Sequence, residues 1–177
     1  RHNLLDGKQT EFIAAEPSSC PKLTRGKFEY DFGDEAGYTP LLPMYTLGHD
    51  FKPANIHAGG LRYHGAGTII SQLVKDKLMH GVDIPQLEAF DAGLLFSRTE
   101  GIIPAPESCH AIASTIREAK KCKESGETKV LLFSLSGHGL IDMTAYESYL
   151  SGDLRNYTIS DEDIAESLQN VPQIPMK

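Results

Sequence analysis

The chain has 177 residues, 40% of them apolar and 23% charged, a composition that excludes a disordered polymer and allows roughly 70% of the unfolded surface to be buried. Its net charge of −7 argues against a nucleic-acid groove, which needs clustered Lys and Arg. No apolar run approaches the ~20 residues of a membrane span. The three cysteines (Cys20, Cys109, Cys122) suit neither a disulfide framework nor a structural zinc site, and fit a reducing compartment. Arg1 rather than Met stands first, and no signal segment follows, so the expectation is a part of a longer protein.

In chain order, residues 10–15 read as a strand that ends at Glu16-Pro17. Residues 18–55, rich in Gly, Pro, Tyr and Asp, read as a long irregular loop whose Cys20, Lys22 and Arg25 could suggest a site but are better explained as solvated. From Thr68 the stripe Ile69, Ile70, Leu73, Val74, Leu78 predicts a helix that Gly81 ends. A second helix is expected to start at Asp83-Ile84-Pro85 and to bury Leu87, Phe90, Leu94 and Leu95. A third runs from Glu107 to about Gly126 over Ile112, Ile116 and Ala119. Residues 129–134 then form a buried apolar strand, and a helical stretch carries Ile141, Met143, Tyr146 and Leu150. The acidic stretch with Asp161, Glu162, Asp163 and Glu166 predicts a last helix, frayed by Pro172 and Pro175. Strands alternating with helices indicate an α/β fold: a three-layer, open, mainly parallel sheet flanked by helices.

Three segments could carry chemistry. Phe133-Ser134-Leu135-Ser136-Gly137-His138-Gly139 takes a strand into a small polar turn, where open α/β sheets bind ligands. A plain turn with a surface histidine explains it about as well. It matches no nucleotide fingerprint and no nucleophile elbow. In Pro104-Ala105-Pro106-Glu107-Ser108-Cys109-His110, Glu107 could simply be a carboxylate favoured at a helix start. Cys109 and His110, being adjacent on a helix, make a poor nucleophilic pair. Residues 55–67 hold His57, His64 and four glycines, enough to line a pocket or to form a flexible connection. The seven histidines follow no trusted metal spacing, so no metal site is expected.

Taken in order, GGLRYHG, RTEGIIPAPESCHA, LLFSLSGHG and DMTAYESYL resemble the C-terminal part of the tryptophan synthase β chains, in particular their divergent second class. The resemblance implies a fold type II enzyme that uses pyridoxal 5′-phosphate (PLP) to join L-serine and indole into L-tryptophan and water. Residues 1–155 would be part of its C-terminal lobe, and residues 156–177 an acidic tail. Ser136 matches the serine that hydrogen-bonds the pyridine nitrogen, Glu107 a glutamate near the ring, and Gly137 a backbone position close to the cofactor, as does Gly139. The carbonyls of Leu61, Tyr63 and Gly65 match a monovalent-cation site.

Arg62 stands where the common β chains have an Asp that helps close the site, and His138 and Leu140 also depart from them. The implied partners are a second β chain, giving a homodimer, and a weakly coupled α chain. No catalytic residue is assigned within the chain, because the Schiff-base lysine and a Gly-Gly-Gly-Ser phosphate cradle are expected upstream of Arg1. The chain alone should therefore be inactive. The compartment is cytoplasm or plastid stroma. Competing readings are another fold type II enzyme (a serine/threonine dehydratase, threonine synthase or cysteine synthase) and an inactive binding module.

Overall fold

A computed structural model of the chain describes residues 1–174, with the backbone alone at His2; Pro175 lies outside the described residues. A short helix α1 (His2–Leu5) precedes β1 (Ile13–Pro17). Next come β2 (Lys27–Asp31) and β3 (Leu42–Thr46), then α2 (Thr68–Lys75) and β4 (His80–Ile84). Helices α3 (Gln86–Glu100), α4 (Pro106–Ser125), α5 (Met143–Leu150) and α6 (Asp161–Ser167) complete the order.

The architecture is mixed α/β. β1 pairs with β4 in parallel, from Ile13 opposite His80 to Pro17 opposite Ile84. β2 and β3 form a separate antiparallel pair. These are two two-stranded sheets among the described residues, where the sequence led us to expect one wider sheet. Among the described residues no helix is long and apolar enough to cross a membrane.

The main core sits where α3, α4 and α5 meet β4. Phe90 is 1% exposed there, edge-on to Tyr146 at 5.1 Å and stacked on Tyr149 at 5.5 Å. Ile84, Ala89, Ile112 and Ala145 close around it. The buried Tyr146 hydroxyl donates to the Pro104 carbonyl at 2.6 Å, so its polar end is satisfied. Pro106 opens α4 without wasting an N–H, and Gly126, in the left-handed region at φ 75°, ends it.

A second core joins Cys20, Leu47 and Phe51 to Ile164, Leu168 and Val171 and so seats α6 on the body. Ser160 and Asp163 cap α6 reciprocally. Ser167 Oγ donates to the Leu47 carbonyl at 2.5 Å, and Arg25 pairs with Asp161. Helix α6 ends at Ser167, ahead of Pro172.

Several expectations need correction. Residues 18–55 are not one irregular loop, because the hairpin β2–β3 lies within them. Asp31 is fully buried there; it accepts from Thr46 Oγ1 at 2.6 Å and contacts His49 Nδ1 at 2.7 Å. Nor are Cys20 and Lys22 solvated, although Arg25 is exposed. The buried Glu16 carboxylate accepts the Leu23 and Thr24 N–H groups and the Thr24 hydroxyl, which pulls that turn inward and buries Cys20 and Lys22. The apolar stripe of α2 is not a buried face: Ile69 is 76% exposed, and Ser71 is the residue it buries. Gly81, Asp83 and Ile84 belong to β4, so Gly81 ends no helix and α3 starts only at Gln86. α3 buries small residues beside Phe90 (Ala89, Ala92, Gly93), leaving Leu95 half-exposed, and Ala119 of α4 is exposed. Finally, residues 129–134 form neither a paired strand nor a buried one. Val130 and Leu132 are almost fully exposed, because a strand needs ladder partners and the described residues offer it none.

Candidate functional site: a cleft between β1, α4 and the SLSGHG turn

Three sequence segments, far apart in the chain, converge at the N-terminus of α4. Residues 103–105 run antiparallel to residues 137–139. The Ala105 N–H donates to the Gly137 carbonyl at 2.9 Å, and the Gly139 N–H donates to the Ile103 carbonyl at 2.8 Å. Position 139 has to be glycine, since a Cβ there would lie 2.5 Å from the Pro104 carbonyl oxygen. Ser108, in the first turn of α4, is buried and accepts the Gly137 N–H at 3.1 Å; its Oγ lies 3.4 Å from Ser136 Oγ. The third segment joins through Gly60, whose N–H donates to Glu107 Oε1 at 2.9 Å.

Glu107, Ser108, Ser136 and Leu61 therefore share one end of a cleft of about 670 Å3. Ile13 and Ala15 of β1 form one wall, the extended residues 129–134 the other, and α4 the floor. Ser136 is exposed and Glu107 half-buried, so a hydroxyl and a carboxylate are offered to whatever enters. Gly137 does not line the cleft; its backbone is committed to Ala105 and Ser108. His138 is exposed, its Nδ1 accepting the Leu140 N–H at 3.3 Å, and Leu140 is exposed too. Arg62 reaches the Pro53 carbonyl at 3.5 Å, while its buried Nε has no partner.

Lys22 is the polar residue that the sequence placed in a solvated loop and the structure buries beside the site. Its ammonium is buried and donates to the Leu61 carbonyl at 3.3 Å, one of the three carbonyls matched to a cation site. Burial holds this lysine below its ordinary range, with the Glu16 carboxylate opposing that shift. The Glu-Pro at the end of β1, three residues before a buried cysteine, was the available signal. Cys109 is no nucleophile: burial pushes its thiol up to about 11, and it sits against the Tyr146 hydroxyl at 3.3 Å. All three cysteines are free thiols. Asp142 is raised by its desolvation and by the nearby Glu107 charge. Among the described residues no group of three His, Cys, Asp or Glu is placed to hold a metal ion.

His110 gives a pH prediction. It is 3% exposed, its Nδ1 bonded to the Pro106 carbonyl at 2.8 Å and its Nε2 unpartnered. Burial lowers its pKa from the ordinary 6.5. The folded chain then stays neutral at His110 while the unfolded chain takes up a proton. Its contribution is intact above pH ~6.5 and is lost as pH falls from there toward the depressed folded value. Unfolding free energies from urea titrations between pH 7.5 and 5.5 should fall more steeply for the native chain than for His110→Gln, by up to about 1.4 kcal/mol per pH unit. Equal slopes would show that His110 does not titrate differently in the two states.

This geometry defines a class of protein: a mixed α/β chain with a cleft between β1 and an extended segment, beside a helix N-terminus. The chain is 55% identical over 151 residues to the tryptophan synthase beta chain 2 of Methanothermobacter thermautotrophicus, a match covering 85% of this chain and 35% of that one. It is 60% identical over 142 residues to the tryptophan synthase beta chain 2 of Thermotoga maritima, covering 80% and 34%. With the tryptophan synthase beta chain of Pseudothermotoga lettingae it shares 61% over 142 residues, again 80% and 34%. No family model matches the chain. Over the matched stretch the chain is similar to tryptophan synthase beta chains, and it spans about a third of the length of the relatives it matches.

Proposed function

We propose that this chain is a C-terminal portion of a PLP-dependent tryptophan synthase β chain, which condenses L-serine with indole to give L-tryptophan and water. In this reading residues 1–155 belong to the C-terminal lobe of a three-layer fold type II enzyme, and residues 156–177 are its tail. The observation that carries the reading is that Glu107 and Ser136, matched from two separate motifs, line one end of the same cleft.

The residues there fit the ring of the cofactor. When bound, PLP supplies the electron sink for elimination and replacement at the β-carbon of an amino acid. Ser136 offers its pyridine nitrogen a neutral hydroxyl, which hydrogen-bonds without delivering a full proton. That favours β-replacement over transamination. Ser108, buried and anchored on the Gly137 N–H, holds the Ser136 turn in place. Glu107, fixed by the Gly60 N–H, would offer the ring a carboxylate, while Gly137, outside the cleft, shapes the turn through its bonds to Ala105 and Ser108.

The amine that carries the cofactor and the donors for its phosphate come from the rest of the β chain, so this chain alone is inactive. The partners are a second β chain in a homodimer and an α chain whose coupling is weak, because Arg62 replaces the closing carboxylate of the common β chains. The compartment is cytoplasm or plastid stroma.

The test uses a graft in which the matched residues of this chain replace the corresponding third of the Thermotoga maritima relative. Ser136→Ala in that graft should leave PLP bound. It should slow L-serine turnover about fivefold, the effect of one hydrogen bond of about 1 kcal/mol, or more if the ring nitrogen is left unpaired. Unchanged turnover would make Ser136 a turn residue and nothing more.

A further inference from the structure

We infer that Lys22 is a positioning residue for the candidate site: its buried ammonium pins the turn Gly59–Leu61, and that turn holds the Glu107 carboxylate at the cleft. The inference rests on the role proposed for Glu107 beside the cofactor ring, and adds the group that sets where this carboxylate points.

Glu107 has little hold of its own. It stands half-buried in the first turn of α4, and among the described residues its carboxylate has one hydrogen bond, from the Gly60 N–H at 2.9 Å. Its direction is therefore only as firm as the turn that carries Gly60. That turn is a single short 3-10 helix with no buried residue. Gly59 and Gly60 are exposed, and a Cβ added at Gly59 would meet nothing within 4 Å. Two glycines leave the backbone wide freedom, so a fixed geometry here needs a contact from outside.

Lys22 supplies that contact. The chain is anchored on either side of the turn, by Ala58, which is buried, and by the His64 carbonyl, which accepts the Leu47 N–H at 2.9 Å. Midway between them the Lys22 ammonium donates to the Leu61 carbonyl at 3.3 Å. A carbonyl at a helix end has no partner within the helix, and a cationic donor binds it more strongly than a neutral one. The two bonds fall on adjacent residues: Lys22 holds the carbonyl of Leu61, and Glu107 accepts the N–H of Gly60. Leu61 and Glu107 line the same cleft.

An ion pair with Glu16 does not account for this lysine. The Glu16 oxygens are already taken by the Leu23 and Thr24 N–H groups, at 2.9 Å each, and by the Thr24 hydroxyl at 2.8 Å. Those bonds fix the chain just after Lys22, so the side chain leaves from a firm base. Burying an ammonium is costly unless it is hydrogen-bonded, and among the described residues its bond goes to the turn that carries Gly60.

The first test uses the chain alone and needs no cofactor. The Lys22 ammonium, followed by its 15N signal, should exchange protons with water roughly 100-fold more slowly than the exposed lysines. Lys22→Met keeps an unbranched stem and removes the donor. The Gly60 amide should then exchange about tenfold faster, the equivalent of about 1.4 kcal/mol, while the amides of Phe90 and Ile112 keep their rates. If Lys22→Met does not fold, Lys22→Gln, which loses the charge, should show the same acceleration at Gly60. A rapidly exchanging Lys22 ammonium, or a Gly60 amide that the substitution leaves unchanged, would overturn the inference.

The second test uses the graft into the Thermotoga maritima relative, with PLP and L-serine. There Lys22→Met should leave PLP bound and lower kcat about tenfold. In a Glu107→Gln background the same change should lower kcat by less than about twofold, because the carboxylate that Lys22 positions is already gone. Equal losses in both backgrounds would make Lys22 a structural residue and overturn this inference alone. A Glu107→Gln graft with native turnover would sink the role of Glu107, and this inference with it.

Discussion

Phe90→Ala should lower the unfolding free energy of the chain by about 3–5 kcal/mol, the cost of truncating a buried aromatic and leaving a cavity. Phe90 is 1% exposed, and its ring touches both Tyr146 and Tyr149 of α5 as well as lying 6.5 Å from His57. One ring thus ties α3 to α5 and to the glycine-rich stretch that leads into the cleft. Against a total of about 5–15 kcal/mol for an ordinary domain, the loss should leave a substantial unfolded fraction in mild denaturant. Urea unfolding followed by far-ultraviolet circular dichroism measures it. A loss below about 1 kcal/mol would mean that the core does not close on this ring.

Gly48→Ala should release the C-terminal helix. Gly48 has φ 99°, and an added Cβ would collide with the Ser167 carbonyl. Both the left-handed backbone and the contact with α6 oppose any side chain there. Accommodating one should cost about 1–3 kcal/mol, taken mostly from the second core of Leu47, Phe51, Ile164 and Leu168. Limited proteolysis should then cut between residues 152 and 160 well before the rest of the chain. Cleavage at the native rate would show that α6 is not held by this approach.

The helices were legible where their signals are local. Pro106 and Gly126 bound α4 because one needs no N–H and the other tolerates a positive φ. The last helix was legible through its acidic stretch from Asp161 to Glu166, although its cap Ser160 was not singled out. What escaped the sequence depends on partners. The α2 stripe looks like a core face, yet among the described residues its Ile69 stays exposed and Leu73 and Val74 are only half-buried. β4 was hidden because Gly81 and Pro85 read as helix punctuation, whereas its pairing with β1 is a long-range fact. Residues 129–134 were read correctly as strand-like in composition and wrongly as buried, since burial needs neighbours.

At the site, Glu107 and Ser136 were legible through motif resemblance. Their convergence was not, for it depends on Ser108 and on the Gly60 N–H, which no spacing announces. The burial of Lys22 escaped because a lysine in a Pro- and Ser-rich stretch normally faces water.

The most direct test of the central claim is tryptophan formation by the graft of this chain into the Thermotoga maritima relative. With PLP, L-serine and indole, the graft should release L-tryptophan at a rate within about tenfold of the ungrafted relative, while the isolated 177-residue chain releases none. A graft that folds and binds PLP yet forms no tryptophan would contradict the account, because this third of the molecule would then not be a working tryptophan synthase lobe.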